Sequence, residues 1–402
     1  MFVKNSPFKR NVRGANPLLV GSPCRGDRGR LGEPSLPPSW ASRSKPDLRP
    51  NVSWCVSVLI AQIFLVGCAC HSPGSHERRT GDEIVVAGQF FHTGTPVVLW
   101  MDPGGYDAYR VERRFAPYTN SDFESSRTNL DAPRKPNRYD IRDHNLTPEE
   151  LERVRGGGWD LPTLQSNVDQ FVIHFDVAGI SRTCFKVLQD SRDLSVHFML
   201  DLDGTIYQTL DLKERARHAT IANNRSVGIE IANMGSYAST EKSPLAEWYK
   251  TEADGRTVIT IPKRAGPAPE RTPHFVGRPV RRHTIAGEVQ GKKMSQYDFT
   301  KQQYRALAKL TAALCTVLPK ITCDYPREAD GTLMTHKIPA DMYKDYHGVL
   351  GHYHVQMNKV DPGPALQWDY VVGEARRLMK LPPPRTVDGK AVSFRPKLKA
   401  DN

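Results

Sequence analysis

The hydrophobic pattern changes character several times along the chain. Residues 52–67 form one uncharged run of 16 positions, from Val52 to Gly67. Beyond it, short β-rich runs at 83–87 and 96–100 are separated and followed by Gly-Thr and Pro-Gly-Gly punctuation, which predicts strands. Residues 116–140 are polar and loop-like. Thr147-Pro148-Glu149-Glu150 reads as a helix start, with Thr at the N-cap, Pro at N1 and Glu closing a capping box; Gly156-Gly157-Gly158 ends that helix. Residues 169–175 predict a buried strand and 181–190 a helix. Residues 196–200 and 205–210 flank Asp203-Gly204, a two-residue hairpin signal, and 226–232 predict another strand. Tyr304, Leu307, Leu310, Thr311, Leu314 and Leu318 recur at helical spacing within 303–318. A last helix is expected over 365–380, ended by Pro382-Pro383-Pro384. Strands and helices mixed in this order predict an α/β fold.

This pattern divides the chain. Residues 1–67 are an extension plus apolar segment, 68–81 a polar tether, and 82–135 a small β-rich appendage and linker. Residues 136–381 form the main domain and 382–402 a tail. Residues 236–297, rich in Lys, Arg, Pro and Gly, interrupt the main domain as a long surface insertion, with one strand-like run at 257–261.

The net charge of +12 suggests nucleic acid only until it is divided. Residues 1–67 hold 10 Lys+Arg and 3 Asp+Glu, so +7 of the +12 lies there. The remainder lacks a basic stripe interleaved with aromatics, so nucleic acid is not an expected partner. Sixteen apolar residues are short for a transmembrane helix and fit a signal segment, with Arg43, Lys45 and Arg49 as its positive flank. The run ends at Leu65-Val66-Gly67-Cys68, which resembles a bacterial lipobox. That implies cleavage before Cys68, lipid on Cys68 and a membrane anchor. Ala69, where an inner-membrane signal has Asp, implies the periplasmic face of the outer membrane. The first fifty residues are longer than a signal's basic region, so either they are an extension or translation starts downstream. Export would place the mature cysteines in an oxidising compartment, where Cys315 and Cys323, eight apart, are candidates to pair. No Cys-x-x-Cys is present, which argues against a thiolate zinc knuckle.

The candidate chemistry begins at the other end. Gly351-His352-Tyr353-His354 runs into Lys359-Val360-Asp361-Pro362-Gly363-Pro364, which sets metal-ligand types beside a positive charge. Far upstream, His174 lies on the apolar strand. A lone histidine there is ordinarily a core residue, but with His352 and Asp361 it would complete a His-His-Asp zinc site with an open position for water. His354, two residues beyond His352, is the alternative ligand; on a strand the two would share a face. Glu230, an acid between Ile229 and Ile231, needs a partner, because burying an unpaired carboxylate is costly.

The order of these motifs resembles the zinc-dependent N-acetylmuramoyl-L-alanine amidases related to peptidoglycan recognition proteins. The motifs are His174, the hairpin after His197, Arg217-His218-Ala219, Ser226-Val227-Gly228-Ile229-Glu230-Ile231-Ala232-Asn233, and the terminal His352…Lys359-x-Asp361-Pro-Gly-Pro. The resemblance covers about residues 168–235 and 298–375. It implies a mixed central sheet flanked by helices, with zinc in a groove at one edge. It implies His174, His352 and Asp361 as ligands, Glu230 as general base, and Lys359 as the group that stabilises the oxyanion. His218 and Asn233 would line the substrate site, and His197 would be structural. Three departures accompany it. The spacing from His352 to Asp361 is nine, one shorter than expected for the closest relatives. Asp361 stands where some relatives have Cys. Val196 stands where some have a catalytic Tyr, which points back to Glu230. The implied function is hydrolysis of the lactyl amide joining N-acetylmuramic acid to L-alanine in peptidoglycan or muropeptides, by a monomer. The alternative is a module that binds muropeptides without cutting them; retention of all three ligand types and of a candidate base favours catalysis.

Overall fold

The computed structural model describes residues 72–126, 135–269, 271–383 and 398–400. The apolar run and Cys68 lie outside the described residues. All elements below belong to the unit His76–Asn402. No helix among the described residues is long and apolar enough to cross a membrane.

A six-stranded mixed sheet organises the chain. Its spatial order is Gly348–Gly351, Gln170–Phe175, Ser226–Ile231, Phe198–Leu200, Ile206–Gln208 and Val97–Leu99. The first four are mutually parallel, Ile206–Gln208 runs antiparallel to its hairpin partner, and Val97–Leu99 runs parallel to Ile206–Gln208. Side chains alternate across the sheet. Phe171, Ile173, Phe175, Val227, Ile229 and Ile231 enter one core with Leu307, Leu310 and Leu314 of the helix Lys301–Val317 and Val371 and Val372 of the helix Trp368–Leu378. Val172 points to the opposite face, where it packs with Leu350 and Val355. His174 and Glu230, in phase with Val172, are thereby placed on that second face.

Both predicted helix starts are built as capping boxes. Thr147 accepts from the Glu150 N–H at 3.2 Å, and Glu150 accepts from the Thr147 N–H at 2.9 Å. Thr300 and Gln303 do the same for Lys301–Val317. Each satisfies two otherwise orphaned helix donors.

Several expectations are corrected. The β-rich part of the expected appendage 82–135 belongs to the main fold. Val97–Leu99 is an edge strand of the central sheet, and Ile84, Val85 and Val86 of the hairpin Glu83–Val86/Gln89–His92 are buried in the main core. Gln208 ties the two by accepting from Val85 N–H and donating to Val85 O, both at 2.8 Å. The hairpin after His197 does not turn on two residues. Asp201 N–H donates to Thr205 O, leaving Leu202-Asp203-Gly204 as a three-residue loop with Gly204 at φ 86°. A left-handed residue ending such a loop is where glycine is favoured. The insertion 236–297 holds more order than one strand. Ser236–Tyr237 joins the hairpin Ile285–Val289/Lys292–Gln296, and Tyr249–Thr251 pairs with Thr257–Ile259. Cys315 and Cys323 are buried free thiols, not a disulfide.

Candidate functional site

His174 and Glu230 face each other in register on adjacent parallel strands. The neighbouring strand Gly348–Gly351 leads directly into the short helix His352–Val355, so His352 is not on a strand as expected. Helical geometry separates His352 from His354. His354 turns back into the fold, where its Nδ1 accepts from Gly351 N–H at 2.8 Å and its Nε2 donates to Met334 O at 2.7 Å. Burial pushes its pKa down to about 3. Both its nitrogens are engaged, so it is a structural group and not a ligand in this geometry.

His174, His352 and Asp361 converge. His174 Nδ1 lies 3.0 Å from His352 Nδ1 and 2.8 Å from Asp361 Oδ2, and His352 Nδ1 lies 2.9 Å from the same oxygen. The outer nitrogens bear on whether this cluster could hold a cation. His352 Nε2 lies 2.6 Å from Gln356 Oε1, an acceptor only, so that nitrogen carries the proton. His174 Nε2 lies 3.0 Å from His218 Nδ1, and His218 Nε2 lies 3.2 Å from Ser226 Oγ. With the protons on Nε2 throughout, both inner Nδ1 atoms are bare lone pairs facing a carboxylate oxygen. Three lone pairs that close repel one another unless a cation lies among them. The 2.8–3.0 Å separations are slightly tighter than the about 3.3 Å edge of a tetrahedron with zinc–nitrogen bonds of about 2.0 Å. Two neutral imidazoles and one carboxylate suit zinc, and the residues fit it.

Electrostatics supports the required protonation states. Burial and the His352 charge push His174 down to about 4, so it is the neutral, ligating form. Burial alone would raise Asp361, but positive charge on the His352 side of the cluster, a role a bound cation would take over, holds it well below the usual carboxylate range. Burial, then the charge of His174, drives His218 far down. Burial drives Glu230 well up, reinforced by the carboxylates of Asp361 and Asp176 and opposed by Lys359 and Arg192. Its Oε2 has no hydrogen-bond partner among the described residues. A raised pKa makes Glu230 a stronger base, and a cation beside it would draw it back toward ionisation.

These groups line a cleft of about 600 Å³ with Lys359, Arg192 and Trp248. The glycine of the Gly-Ile-Glu run has a defined task. A Cβ on Gly228 would lie 2.5 Å from His218 Nδ1, so only glycine admits that ring beside His174. His197 is structural as expected, accepting from Gly228 N–H at 3.1 Å and donating to Glu214 O at 2.9 Å.

Asn233 is not a substrate-site residue. It is buried and absent from the cleft wall; its Nδ2 donates to Tyr297 O, and its Oδ1 accepts from Gly235 N–H and Gln296 Nε2. It anchors the insertion to the end of the Ser226–Ile231 strand. Sequence reading missed Gln356, which fixes the His352 tautomer; it caps the short helix His352–Val355, which the sequence did not announce. It also missed Asp176, two residues after His174. Asp176 Oδ1 accepts from the N–H groups of Ala178, Gly179 and Asn233, and burial pushes its pKa up to about 7.

The N-acetylmuramoyl-L-alanine amidase family model, Amidase_2, matches residues 164–364. Among solved structures, a selenomethionine derivative of AmpD is 18% identical, with 62% of this chain and 95% of that one covered and a TM-score of 0.27. AmiD from E. coli, solved with its substrate anhydro-N-acetylmuramic acid-L-Ala-D-gamma-Glu-L-Lys, is 16% identical, with 52% and 57% covered and a TM-score of 0.28. The Ph2119 endolysin from the Thermus scotoductus MAT2119 bacteriophage Ph2119 is 14% identical, with 60% and 92% covered and a TM-score of 0.27. No curated protein matches the chain. Half the sequence, including every residue of the cage, falls within the family model, and the chain belongs to the N-acetylmuramoyl-L-alanine amidase family.

Proposed function

We propose that the chain is a zinc-dependent amidase that cleaves the bond between the lactyl group of N-acetylmuramic acid and L-alanine. The observation that carries this reading is the convergence of two unprotonated Nδ1 atoms and one carboxylate oxygen beside Glu230. His174, His352 and Asp361 would hold the metal. When bound, zinc supplies Lewis acidity to water and to the amide carbonyl. Glu230 takes a proton from the attacking water and returns it to the leaving amine of L-alanine. Lys359, partly exposed on the cleft wall, offsets the negative charge that develops on the carbonyl oxygen. His218 orients His174 through its Nδ1. Gln356 does the same for His352. A purely binding module has no need of a base at Glu230.

We further propose that the chain is exported and anchored by lipid at Cys68, on the sequence pattern Leu65-Val66-Gly67-Cys68. Incorporation of labelled fatty acid that is lost in Cys68→Ser tests the anchor. The activity is tested by incubating the protein with purified muropeptides, with and without chelator. Free stem peptide and free muramic acid sugar are expected by mass spectrometry without chelator only. Intact muropeptide in both arms, with zinc present, would refute the reading.

A further inference from the structure

The positive charges on the cleft wall differ in what they face. Arg217 is consumed by Asp140, at 2.8 and 2.9 Å, and by Asp193 at 3.0 Å. Arg264 is paired with Glu247. Lys359 stands on the acidic side, next to Asp361 and Glu230. Arg192 alone among the lining arginines has no hydrogen bond or ion pair with any described residue, yet it is exposed on the cleft, and its charge reaches Glu230. It ends the helix Ser181–Ser191. A cation there is favoured by the helix dipole, but that leaves its five donors unused.

We infer that Arg192 is a specificity-determining residue that binds a free carboxylate of the peptide stem. The inference rests on the amidase reading above. A stem whose second residue is linked through its side chain leaves that residue's α-carboxylate free, a short distance from the amide to be cut. A guanidinium takes such a group through two parallel N–H···O bonds. Lys359 then serves the reacting carbonyl and Arg192 the stem, which divides the substrate's two demands for positive charge between them.

The test uses two ligands that differ only in this group: N-acetylmuramoyl-L-alanyl-γ-D-glutamyl-L-lysinamide, whose γ-carboxyl is held in a peptide bond and whose α-carboxylate is free, and its counterpart in which that α-carboxylate is a carboxamide. KM is measured for the zinc-loaded full chain and for Arg192→Gln and Arg192→Lys. Kd is measured by calorimetry on Glu230→Gln chains that do not turn over. The natural chain is expected to favour the free carboxylate by about tenfold, the low end for a charge-assisted bond at an exposed site. Arg192→Gln is expected to abolish that preference and leave the amide ligand unchanged, with Arg192→Lys between the two. Equal binding of both ligands by the natural chain, or a preference that survives Arg192→Gln, overturns the inference while the amidase reading stands. Failure to bind or cleave either ligand overturns both.

Discussion

His174 and Glu230 are direct register partners across two parallel strands, so the first proposed ligand and the proposed base are fixed to each other by backbone hydrogen bonds. Neither depends on a loop for its position. The remaining ligands arrive on a separate segment, where the strand Gly348–Gly351 pairs with the strand of His174 and delivers His352 at its end. A site built on paired strands is held more tightly than one built on loops.

Because Glu230 Oε2 makes no hydrogen bond with any described residue, its replacement is expected to leave the fold intact. Glu230→Gln is expected to lower kcat by about 10²–10⁴-fold, the range for loss of a general base, with zinc content unchanged. Steady-state kinetics beside metal analysis checks this; retained turnover would exclude Glu230 as the base.

The two histidines of the Gly-His-Tyr-His run are expected to fail in different ways. His352→Ala removes a cage nitrogen and should abolish stoichiometric zinc. His354→Ala strands the buried Gly351 N–H and Met334 O. It should keep zinc and lose about 1–3 kcal/mol of stability. Metal analysis and chemical denaturation of both variants separate the roles. Zinc loss in a folded His354→Ala chain would reverse the assignment.

Gly228→Ala places a methyl against His218. The ring must move from His174 Nε2, which weakens the tautomer needed for ligation. Zinc affinity is expected to fall by about 10–100-fold, the usual cost of losing an outer-shell partner. Competition with a fluorescent chelator measures it, and circular dichroism shows that the fold persists. Unchanged affinity would mean that His218 plays no part in holding His174.

His197 gives a pH signature away from the metal. Burial, then Arg142, holds its pKa at about 3 against an ordinary value of 6.5. The folded state therefore binds fewer protons than the unfolded state between these values. Its contribution is fully present above about pH 6.5 and is lost as pH falls toward 3, by up to about 1.4 kcal/mol per pH unit. Denaturation between pH 7.5 and 4.5 should show that slope, with His197→Gln flattening it. An identical slope in the variant would contradict the assignment.

The parts of the fold legible in sequence are those that local chemistry dictates. The Thr147 capping box, the apolar run over Gln170–Phe175 and the helical spacing after Thr300 announce their own structure. The His-His-Asp cluster was legible through its donor types, since two histidines and an aspartate are a ligand set for zinc. Its choice of His352 over His354 was not, because it depends on the chain turning helical at Gly351, a tertiary outcome. Asn233 looked like a site residue through the resemblance; just past the end of the strand Ser226–Ile231, its side chain instead meets Tyr297 and Gln296 of the insertion. Val97–Leu99 read as an appendage because its partner, Ile206–Gln208, lies more than a hundred residues away.

The central claim is that His174, His352 and Asp361 form a cation cage and not a hydrogen-bonded core cluster. Zinc titrated into chelated chain tests it most directly, with muropeptide cleavage followed in the same samples. One equivalent is expected to bind, with cleavage returning in proportion and neither event occurring in Asp361→Ala. Cleavage at full rate by the zinc-free chain, or a folded chain that takes up no zinc, would contradict the account.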